Sequence, residues 1–242
     1  FWGNEEVEVN VILDLAEFTQ TPNEWGENVT GVKTNFSTDQ KEIALTFDLC
    51  GGDYGSGFDQ TLVDFLREAE VPATLFVNKR WITANEQLFL ELAADPLFQI
   101  ENHGTEHAPL SVEGKSAWGI PGTNSVEEVV AEIMENHKTV KEMTGHDMTL
   151  FRSGTAYYDE IAVCIAQALG YEVVNYDILG DAGATYSAKQ VEQALLEAKP
   201  GSIALLHMNQ PNSGTAEGVI AAVPKLKEDG FQFVHLRGKE LK

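Results

Sequence analysis

The feature that most constrains this chain is a regular alternation of short apolar runs with amphipathic segments, which begins near Glu42. Apolar residues at helical spacing fill the segments between the runs and predict six helices. A series of alternating strands and helices forms a parallel sheet with right-handed crossovers. The sequence therefore predicts an α/β fold, either an open doubly wound sheet or a barrel, with functional groups at the carboxyl ends of the strands. The seven predicted strands are residues 43–48, 73–78, 98–102, 149–152, 171–177, 202–207 and 231–236.

Hydroxyl residues mark the predicted starts of three helices. In a capping box, a hydroxyl side chain and an acidic or amide side chain three residues later satisfy backbone N–H groups of the first helical turn. Three pairs have this spacing, namely Thr83 with Glu86, Ser125 with Glu128, and Ser187 with Gln190.

The first forty residues differ from the rest of the chain. Alternating apolar residues from Val7 to Leu13 predict one strand, and a polar segment with scattered aromatic residues follows. We interpret residues 1–40 as an extension packed on a single domain of residues 41–242. Because the chain begins at Phe1 without methionine or a basic segment, we interpret it as a mature or trimmed product from which any export signal has been removed. The acidic composition fits export and a cytoplasmic protein of a salt-adapted organism equally, and we expect a secreted, cell-envelope or periplasmic protein.

Charge excludes several classes of partner. The chain carries 16 Lys and Arg against 38 Asp and Glu, a net charge of −22 that repels nucleic acids and anionic membranes. It has no apolar run long enough to span a membrane, and the sequence does not indicate an oligomeric state. Its two cysteines, Cys50 and Cys164, are too few for a disulfide scaffold, and we predict that both are reduced and buried.

Polar and titratable residues follow the predicted strands at the points where these end. In a parallel sheet such residues meet at one edge, where catalytic groups collect. A histidine at that edge suits general acid or base chemistry because its ordinary pKa lies near neutrality. The residues concerned are Asp48, His103, Arg152, Asp177, Asp181 and His207.

His103 and His107 have the spacing of a metal-binding pair. On a helical turn, residues four apart lie on one side, so both imidazoles would face one metal ion; two polar residues in a loop are the alternative. For Cys50 we predict a buried thiol rather than a nucleophile, because no basic residue close in sequence lowers its pKa. The glycines that follow Cys50 match neither a dinucleotide-binding nor a phosphate-binding loop.

The order of these motifs resembles that of the polysaccharide deacetylases, the NodB-homology group of carbohydrate esterase family 4. The resemblance runs from about residue 42 to residue 236. It rests on Leu45-Thr46-Phe47-Asp48, Asn102-His103 through His107, Phe151-Arg152, Asp181 and Leu205-Leu206-His207.

The resemblance implies a deformed (β/α)7 barrel that holds a divalent metal ion, with zinc first and cobalt or nickel as alternatives. It implies that Asp48 is the base that deprotonates a water molecule and that His207 is the acid that protonates the leaving group. Arg152 would orient Asp48, and Asp181 would tune His207. The implied reaction is removal of acetyl groups from an N- or O-acetylated polysaccharide or peptidoglycan glycan.

One departure concerns the metal ligands. Leu49 stands where these deacetylases usually carry a second aspartate, which is their third metal ligand. We therefore expect Asp48, His103 and His107 to hold the metal, with Asp53 in the following glycine-rich loop as the alternative third ligand. Asp48 is preferred because it ends a strand and needs no movement of a loop.

Two further departures concern substrate binding. Ser153, Gly154 and Thr155 follow the arginine where Pro-Tyr is usual, and we expect the Thr155 backbone N–H to donate to the developing oxyanion. Ala182 replaces a usual tryptophan, and we expect Trp118 to supply a stacking surface for the sugar instead.

Three functions remain open at this stage. The first is the metal-dependent deacetylase, and the second is another amide hydrolase on the same scaffold, such as a deformylase. The third is a carbohydrate-binding protein that lost catalysis with the second aspartate.

Overall fold

The computed structural model describes residues 15–242, so the strand predicted between Val7 and Leu13 lies outside the described residues. A short 3-10 helix at Leu15–Phe18 comes first. The strands are β1 (Val32–Lys33), β2 (Glu42–Leu49), β3 (Ala73–Val77), β4 (Phe98–Asn102), β5 (Leu150–Phe151), β6 (Glu172–Val174), β7 (Ile178–Leu179), β8 (Ser202–His207) and β9 (Gln232–Phe233). The helices are α1 (Gln60–Glu68), α2 (Lys79–Ala84), α3 (Glu86–Ala94), α4 (Val126–Thr144), α5 (Glu160–Ala168), α6 (Ala188–Leu196) and α7 (Thr215–Glu228).

The strands form one curled parallel sheet in the order β1-β6-β5-β4-β3-β2-β8-β7, with β9 paired to β2. This deformed half-barrel confirms the predicted fold class. The predicted strand at residues 171–177 is shorter than expected, because the chain leaves β6 after Val174 and returns as β7 beside β8.

Strand β2 shows how the sheet divides the interior. Its alternate residues Ile43, Leu45, Phe47 and Leu49 belong to the large core, together with the buried faces of the helices. Because side chains alternate between the faces of a strand, Ala44, Thr46 and Asp48 point into the curl of the sheet. Ala44 packs there in a second, smaller core with Phe36, Phe76, Leu150, Val174, Ile203, Leu236 and Leu241.

The described part of the N-terminal segment packs on the sheet. Strand β1 extends the sheet beside β6, and Gly26 exchanges backbone hydrogen bonds with Tyr158 at 2.9 and 3.0 Å. Phe36 is buried in the smaller core, where it closes the amino-terminal end of the curl. A domain boundary at residue 40 stays a prediction.

Two of the three predicted helix starts are correct. Ser187 and Gln190 form the capping box of α6, and the Ser125 hydroxyl accepts the Glu128 N–H at the start of α4. The third start is wrong, because the predicted single helix is two helices separated at Asn85.

In that region Asn78 caps α2, and the Thr83 hydroxyl donates to the Lys79 carbonyl inside α2. A serine or threonine within a helix can donate its hydroxyl to the backbone carbonyl one turn earlier. In this position Thr83 does not cap the start of the next helix.

The prediction that both cysteines are buried is wrong. Cys164 lies on the solvent side of α5, whose neighbouring residues Val163 and Ile165 face the core. Cys50 is half-buried, and both thiols are free. Along the described part of the chain, no helix is long and apolar enough to cross a membrane.

Candidate active site

A pocket of about 600 Å³ opens at the carboxyl ends of the strands. Asp48, His107 and His207 line it, while His103, Arg152 and Asp181 lie buried around it. These six residues, which the sequence predicts to be catalytic or metal-binding, therefore lie in or around one pocket. The lining residues include Asp48, Cys50, His107, Trp118, Thr155, Tyr157, Ala182 and His207.

Asp48 lies at the floor of the pocket and is 4% exposed. It stands at the end of β2, in register with His207 at the end of β8. Arg152 Nη1 donates to Asp48 Oδ1 at 2.8 Å. The second oxygen, Oδ2, is 3.5 Å from His103 Nε2 and is not engaged by the arginine.

Arg152 is fully buried inside the curl, where neighbouring polar groups satisfy its guanidinium. Nη1 also donates to the Thr46 hydroxyl at 2.9 Å, and Nε and Nη2 donate to the carbonyls of Val174 and Asn175. The guanidinium lies 4.2 Å from the centroid of the Phe76 ring. Because a buried charge needs this many partners, the guanidinium has one position and holds Asp48 in one orientation.

His207 and Asp181 form an ion pair beside Asp48, at the end of β8. His207 Nδ1 lies 2.9 Å from Asp181 Oδ1, while Asp181 Oδ2 accepts the His207 backbone N–H at 2.7 Å and the Thr215 hydroxyl at 2.9 Å. Burial lowers the pKa of His207, but the charge and hydrogen bond of Asp181 raise it well above its ordinary value. Burial opposes ionisation of Asp181, but His207 and Thr215 leave its pKa below the ordinary value. Cys50 contributes to the raised pKa of His207 as well, so the imidazolium form is favoured, with Nδ1 bonded to Asp181.

The predicted helical turn that would carry His103 and His107 is not formed. They lie in an irregular loop after β4, in which Gly104 has φ +82° and His107 has φ +62°. The two rings still meet edge to face, with centroids 5.0 Å apart. His103 Nδ1 donates to the Arg152 carbonyl at 2.9 Å, so that its Nε2 carries a free lone pair toward the pocket.

The loop that carries the histidines is built around one buried carboxylate of α4. Glu132, 4% exposed, accepts the backbone N–H groups of Thr105, Glu106 and Ala108. A Cβ at position 104 would lie 2.4 Å from Glu132 Oε1. This contact, with the positive φ, explains why position 104 is glycine.

Cys50 is the site residue that the sequence analysis did not identify. Its Sγ lies 3.8 Å from His103 Nε2, and donor atoms of Cys50, His103 and His107 all lie within 4.8 Å of one another. Burial raises the pKa of the thiol, but the nearby histidines, His107 foremost, lower it well below its ordinary value. These basic groups are more than fifty residues away in sequence, so the local sequence could not reveal them. Strand alternation was the available signal, because Asp48 and Cys50 are two residues apart and share a face.

Neither Asp53, the alternative third ligand, nor position 49 lines the pocket. Asp53 is exposed in the turn that follows β2 and does not line the pocket. Leu49 is completely buried among the large core residues on the opposite face of β2. A carboxylate at position 49 would thus point away from the pocket along this strand.

Aromatic side chains form the rim of the pocket. Trp118 is 77% exposed and lies edge-on to Tyr157, with ring centroids 6.1 Å apart. Tyr157 in turn contacts Trp25 of the N-terminal segment at 5.7 Å. Thr155 lines the wall between this rim and His107, and its hydroxyl oxygen is buried with no hydrogen-bond partner among the described residues.

The cluster of Cys50, His103 and His107 fits a divalent transition metal. Thiolate and imidazole are ligands that zinc and cobalt accept. His107 Nε2 is buried without a hydrogen-bond partner in the described part of the chain, and such orphaned atoms are rare unless something binds them. His103 has the backbone hydrogen bond on its other nitrogen that orients histidine ligands in metal sites.

Several known proteins resemble this chain, among them a bifunctional enzyme and two proteins of known structure. A bifunctional xylanase/deacetylase from Pseudobutyrivibrio xylanivorans is 25% identical over 93% of this chain, which spans 33% of that protein. The structure of a CE4 family pseudoenzyme from Bacillus anthracis is 20% identical, with a TM-score of 0.69 over 86% of this chain and 68% of that one. The structure of a family 4 acetyl xylan esterase from Clostridium thermocellum in complex with a cobalt ion is 22% identical, with a TM-score of 0.67 over 81% of this chain and 88% of that one.

These likenesses agree with the curled sheet and its pocket. At this level of identity, the two structures support the fold rather than a particular chemistry. Residues 35–174 match the polysaccharide deacetylase family, which is more than half of the chain. The chain therefore belongs to the polysaccharide deacetylase family.

Proposed function

We propose that this protein is a metal-dependent hydrolase that removes acetyl groups from an N- or O-acetylated polysaccharide or peptidoglycan glycan. The observation that carries the proposal is that Asp48 and His207 line one pocket from neighbouring positions on strands β2 and β8. Each has its own buried partner, Arg152 for Asp48 and Asp181 for His207. A carboxylate and an imidazole that are held in different environments can take the separate roles of base and acid.

Asp48 is the proposed base. Its Oδ1 is held by Arg152, while Oδ2 remains to accept a proton from the water molecule that attacks the acyl carbon. The orientation is fixed before substrate binds, because the guanidinium is anchored by Thr46 and two backbone carbonyls. Pre-organisation of this kind lowers the cost of reaching the reactive geometry.

His207 is the proposed acid. Its Nδ1 is bonded to Asp181, and its Nε2 donates a proton to the leaving nitrogen or oxygen as the acyl bond breaks. The products are acetate and the free amine or alcohol of the sugar. The raised pKa of His207 keeps the proton available until that step.

His103 and His107 would hold the metal ion together with a third donor. When bound, such an ion polarises the acyl carbonyl and makes a bound water molecule more acidic. The Thr155 backbone N–H is the proposed donor to the oxyanion, at the pocket wall beside His107.

Trp118 and Tyr157 are the proposed contacts for the sugar rings, because aromatic faces at a pocket rim suit the apolar faces of sugars. Ala182 and the neighbouring Gly183 leave the pocket wall open on the other side. Since glycans of this class are polymers of cell walls, we also propose that the protein acts outside the cytoplasm, as a secreted, cell-envelope or periplasmic protein.

The test is acetate release from N-acetylglucosamine oligomers and from acetylxylan, with protein that is loaded with zinc or cobalt or stripped by a chelator. We expect release from one of these substrates, loss on chelation, and recovery when metal is returned. Asp48→Asn and His207→Gln should each lower the rate at least 100-fold, which is the usual contribution of a general base or acid. Asp53→Asn, in the exposed turn, is the matched control and should keep the wild-type rate.

A second function has one observation in its favour. Leu49 in place of the usual aspartate suggests a carbohydrate-binding protein without catalysis, and the fold is also that of a pseudoenzyme. Glycan binding without acetate release in any metal-loaded state would support this function and contradict the hydrolase. Formate release from a formylated amide, in place of acetate, would instead favour another amide hydrolase.

A further inference from the structure

Two chemically different side chains line the pocket at the end of strand β2. Asp48 is the next-to-last residue of the strand, and Cys50 is the first residue after it. Leu49 lies between them in sequence but is buried in the large core. We propose that Cys50 is the third metal ligand, completing a Cys50–His103–His107 centre, and that Asp48 is left to act as base alone.

The position of the thiol carries this proposal. Cys50 Sγ lies 3.8 Å from His103 Nε2, and all three donor atoms lie within 4.8 Å of one another. Ligands of one tetrahedral zinc or cobalt ion stand about 2.0–2.3 Å from the metal, so the donor atoms of a pair are about 3.3–3.8 Å apart. The three atoms therefore need only small adjustments to share one ion.

The two histidines point to the same ligand set. His103 is 1% exposed, and its Nδ1 proton is committed to the Arg152 carbonyl, which leaves Nε2 toward Cys50. His107 Nε2 is buried and lacks a hydrogen-bond partner among the described residues. A buried nitrogen without a partner is costly, and a metal ion would satisfy it.

Asp48 has a competing engagement. Its Oδ1 is bound to Arg152 at 2.8 Å, and it is not among the three residues whose donor atoms gather within 4.8 Å. Its other oxygen, Oδ2, lies 3.5 Å from His103 Nε2, at the edge of the cluster, where it can accept a proton while Arg152 holds Oδ1. The role of the metal rests on the proposed function. The cluster of three donor atoms does not depend on it.

The test is a titration of metal-free protein with Co²⁺, followed by near-ultraviolet and visible absorption and by direct analysis of bound metal. We expect wild type to bind one equivalent and to develop an intense near-ultraviolet thiolate-to-cobalt charge-transfer band. Cys50→Ser should lose this band and bind cobalt at least about 10–100-fold more weakly, because loss of a ligand exceeds the effect of losing its supporting contacts.

Three variants serve as controls. Cys164→Ser removes the other thiol, which is exposed on α5, and should keep both the band and the affinity. Asp48→Asn should also keep the band. Cys50→Asp offers an oxygen donor from the same position and should bind cobalt without the band, which separates loss of the thiolate from a failure to fold.

Several results would overturn the proposal. These are a band that survives in Cys50→Ser, loss of cobalt in Asp48→Asn with retention in Cys50→Ser, or wild-type protein that binds no cobalt. A covalent acetyl thioester on Cys50, trapped by rapid acid quench and mass spectrometry, would show a nucleophile instead.

Failure of this proposal is distinguishable from failure of the proposed function. A wild-type band without acetate release from any substrate leaves the centre in place and removes the hydrolase. Metal-dependent acetate release without the band leaves the hydrolase in place and removes Cys50 from the ligand set.

Discussion

Arg152 illustrates what single residues contribute to this site. Its guanidinium is fully buried, with bonds to Asp48, Thr46 and two carbonyls, and with Phe76 beneath it. Removing one partner of such a pair leaves an uncompensated buried charge, which typically costs about 3–5 kcal/mol. Arg152 therefore both stabilises the inside of the curled sheet and orients Asp48, the proposed base.

The pair of His207 and Asp181 predicts a pH dependence. If His207 is the acid, activity falls as pH rises through its pKa, which Asp181 holds well above the ordinary value. Asp181→Asn removes the carboxylate that favours imidazolium, so the pKa of His207 should fall and the alkaline limb of the kcat/KM profile should move to lower pH. Profiles of both proteins, with the same metal loaded, provide the measurement.

A carboxylate far from the pocket supplies the control for this prediction. Asp229, which follows α7, can be changed to Asn without touching His207, and the alkaline limb should then stay where it is in wild type. An unshifted limb in Asp181→Asn would mean that His207 is not the group that titrates there.

At the scale of elements, the loop after β4 depends on a contact with α4. Glu132 accepts three backbone N–H groups of the loop, those of Thr105, Glu106 and Ala108, in a segment that is neither helix nor strand. The helix is thus a scaffold for the candidate metal ligands. The sequence separation between Glu132 and Gly104 hides this dependence from any local pattern.

This contact predicts the cost of a methyl group at Gly104. Gly104→Ala combines a left-handed backbone, worth about 1–2 kcal/mol, with a Cβ only 2.4 Å from Glu132 Oε1, for which overpacking adds about 1–3 kcal/mol. Gly145→Ala is a matched control, because Gly145 has φ +75° but open space around the added Cβ. The free energy of unfolding from urea denaturation should therefore fall more for Gly104→Ala.

Equal losses in the two variants would show that the loop moves freely away from Glu132. In that case the carboxylate would not position the histidines. Cobalt affinity of Gly104→Ala would then match wild type as well.

At the scale of the whole molecule, the dominant property is the net charge of −22. Like charges on one surface repel, and that repulsion weakens the folded state relative to an expanded chain. Dissolved salt screens the repulsion, since the Debye length falls from about 30 Å at 0.01 M to about 3 Å at 1 M ionic strength.

The molecule should therefore become more stable as salt is added. We expect Tm at neutral pH to rise over that range of ionic strength, by about 2–4 °C for each kcal/mol of repulsion relieved. Sodium chloride and choline chloride should act alike if screening is the cause. A fall in Tm, or a rise with sodium alone, would point to specific ion pairs or cation sites instead.

The sequence by itself determined the plan of this protein. The buried strands β2 and β8 were predictable from their apolar runs, and the start of α6 was predictable from Ser187. Both signals depend only on residues close together in the chain. Asp48, His103, Arg152 and His207 could also be singled out, since parallel strands end at one edge of the sheet. Pattern and local chemistry were sufficient for these features.

Only the tertiary structure decided which of these groups meet, and how. Cys50 lies beside His103 and His107, which are more than fifty residues away along the chain, and this neighbourhood makes a thiol that the sequence predicts to be simply buried the proposed third ligand. Three other features were also not predictable from the local sequence: the exposure of Cys164, the separation of α2 from α3, and the irregular loop that carries the histidines. Each depends on the packing of distant segments, which short-range periodicity does not encode.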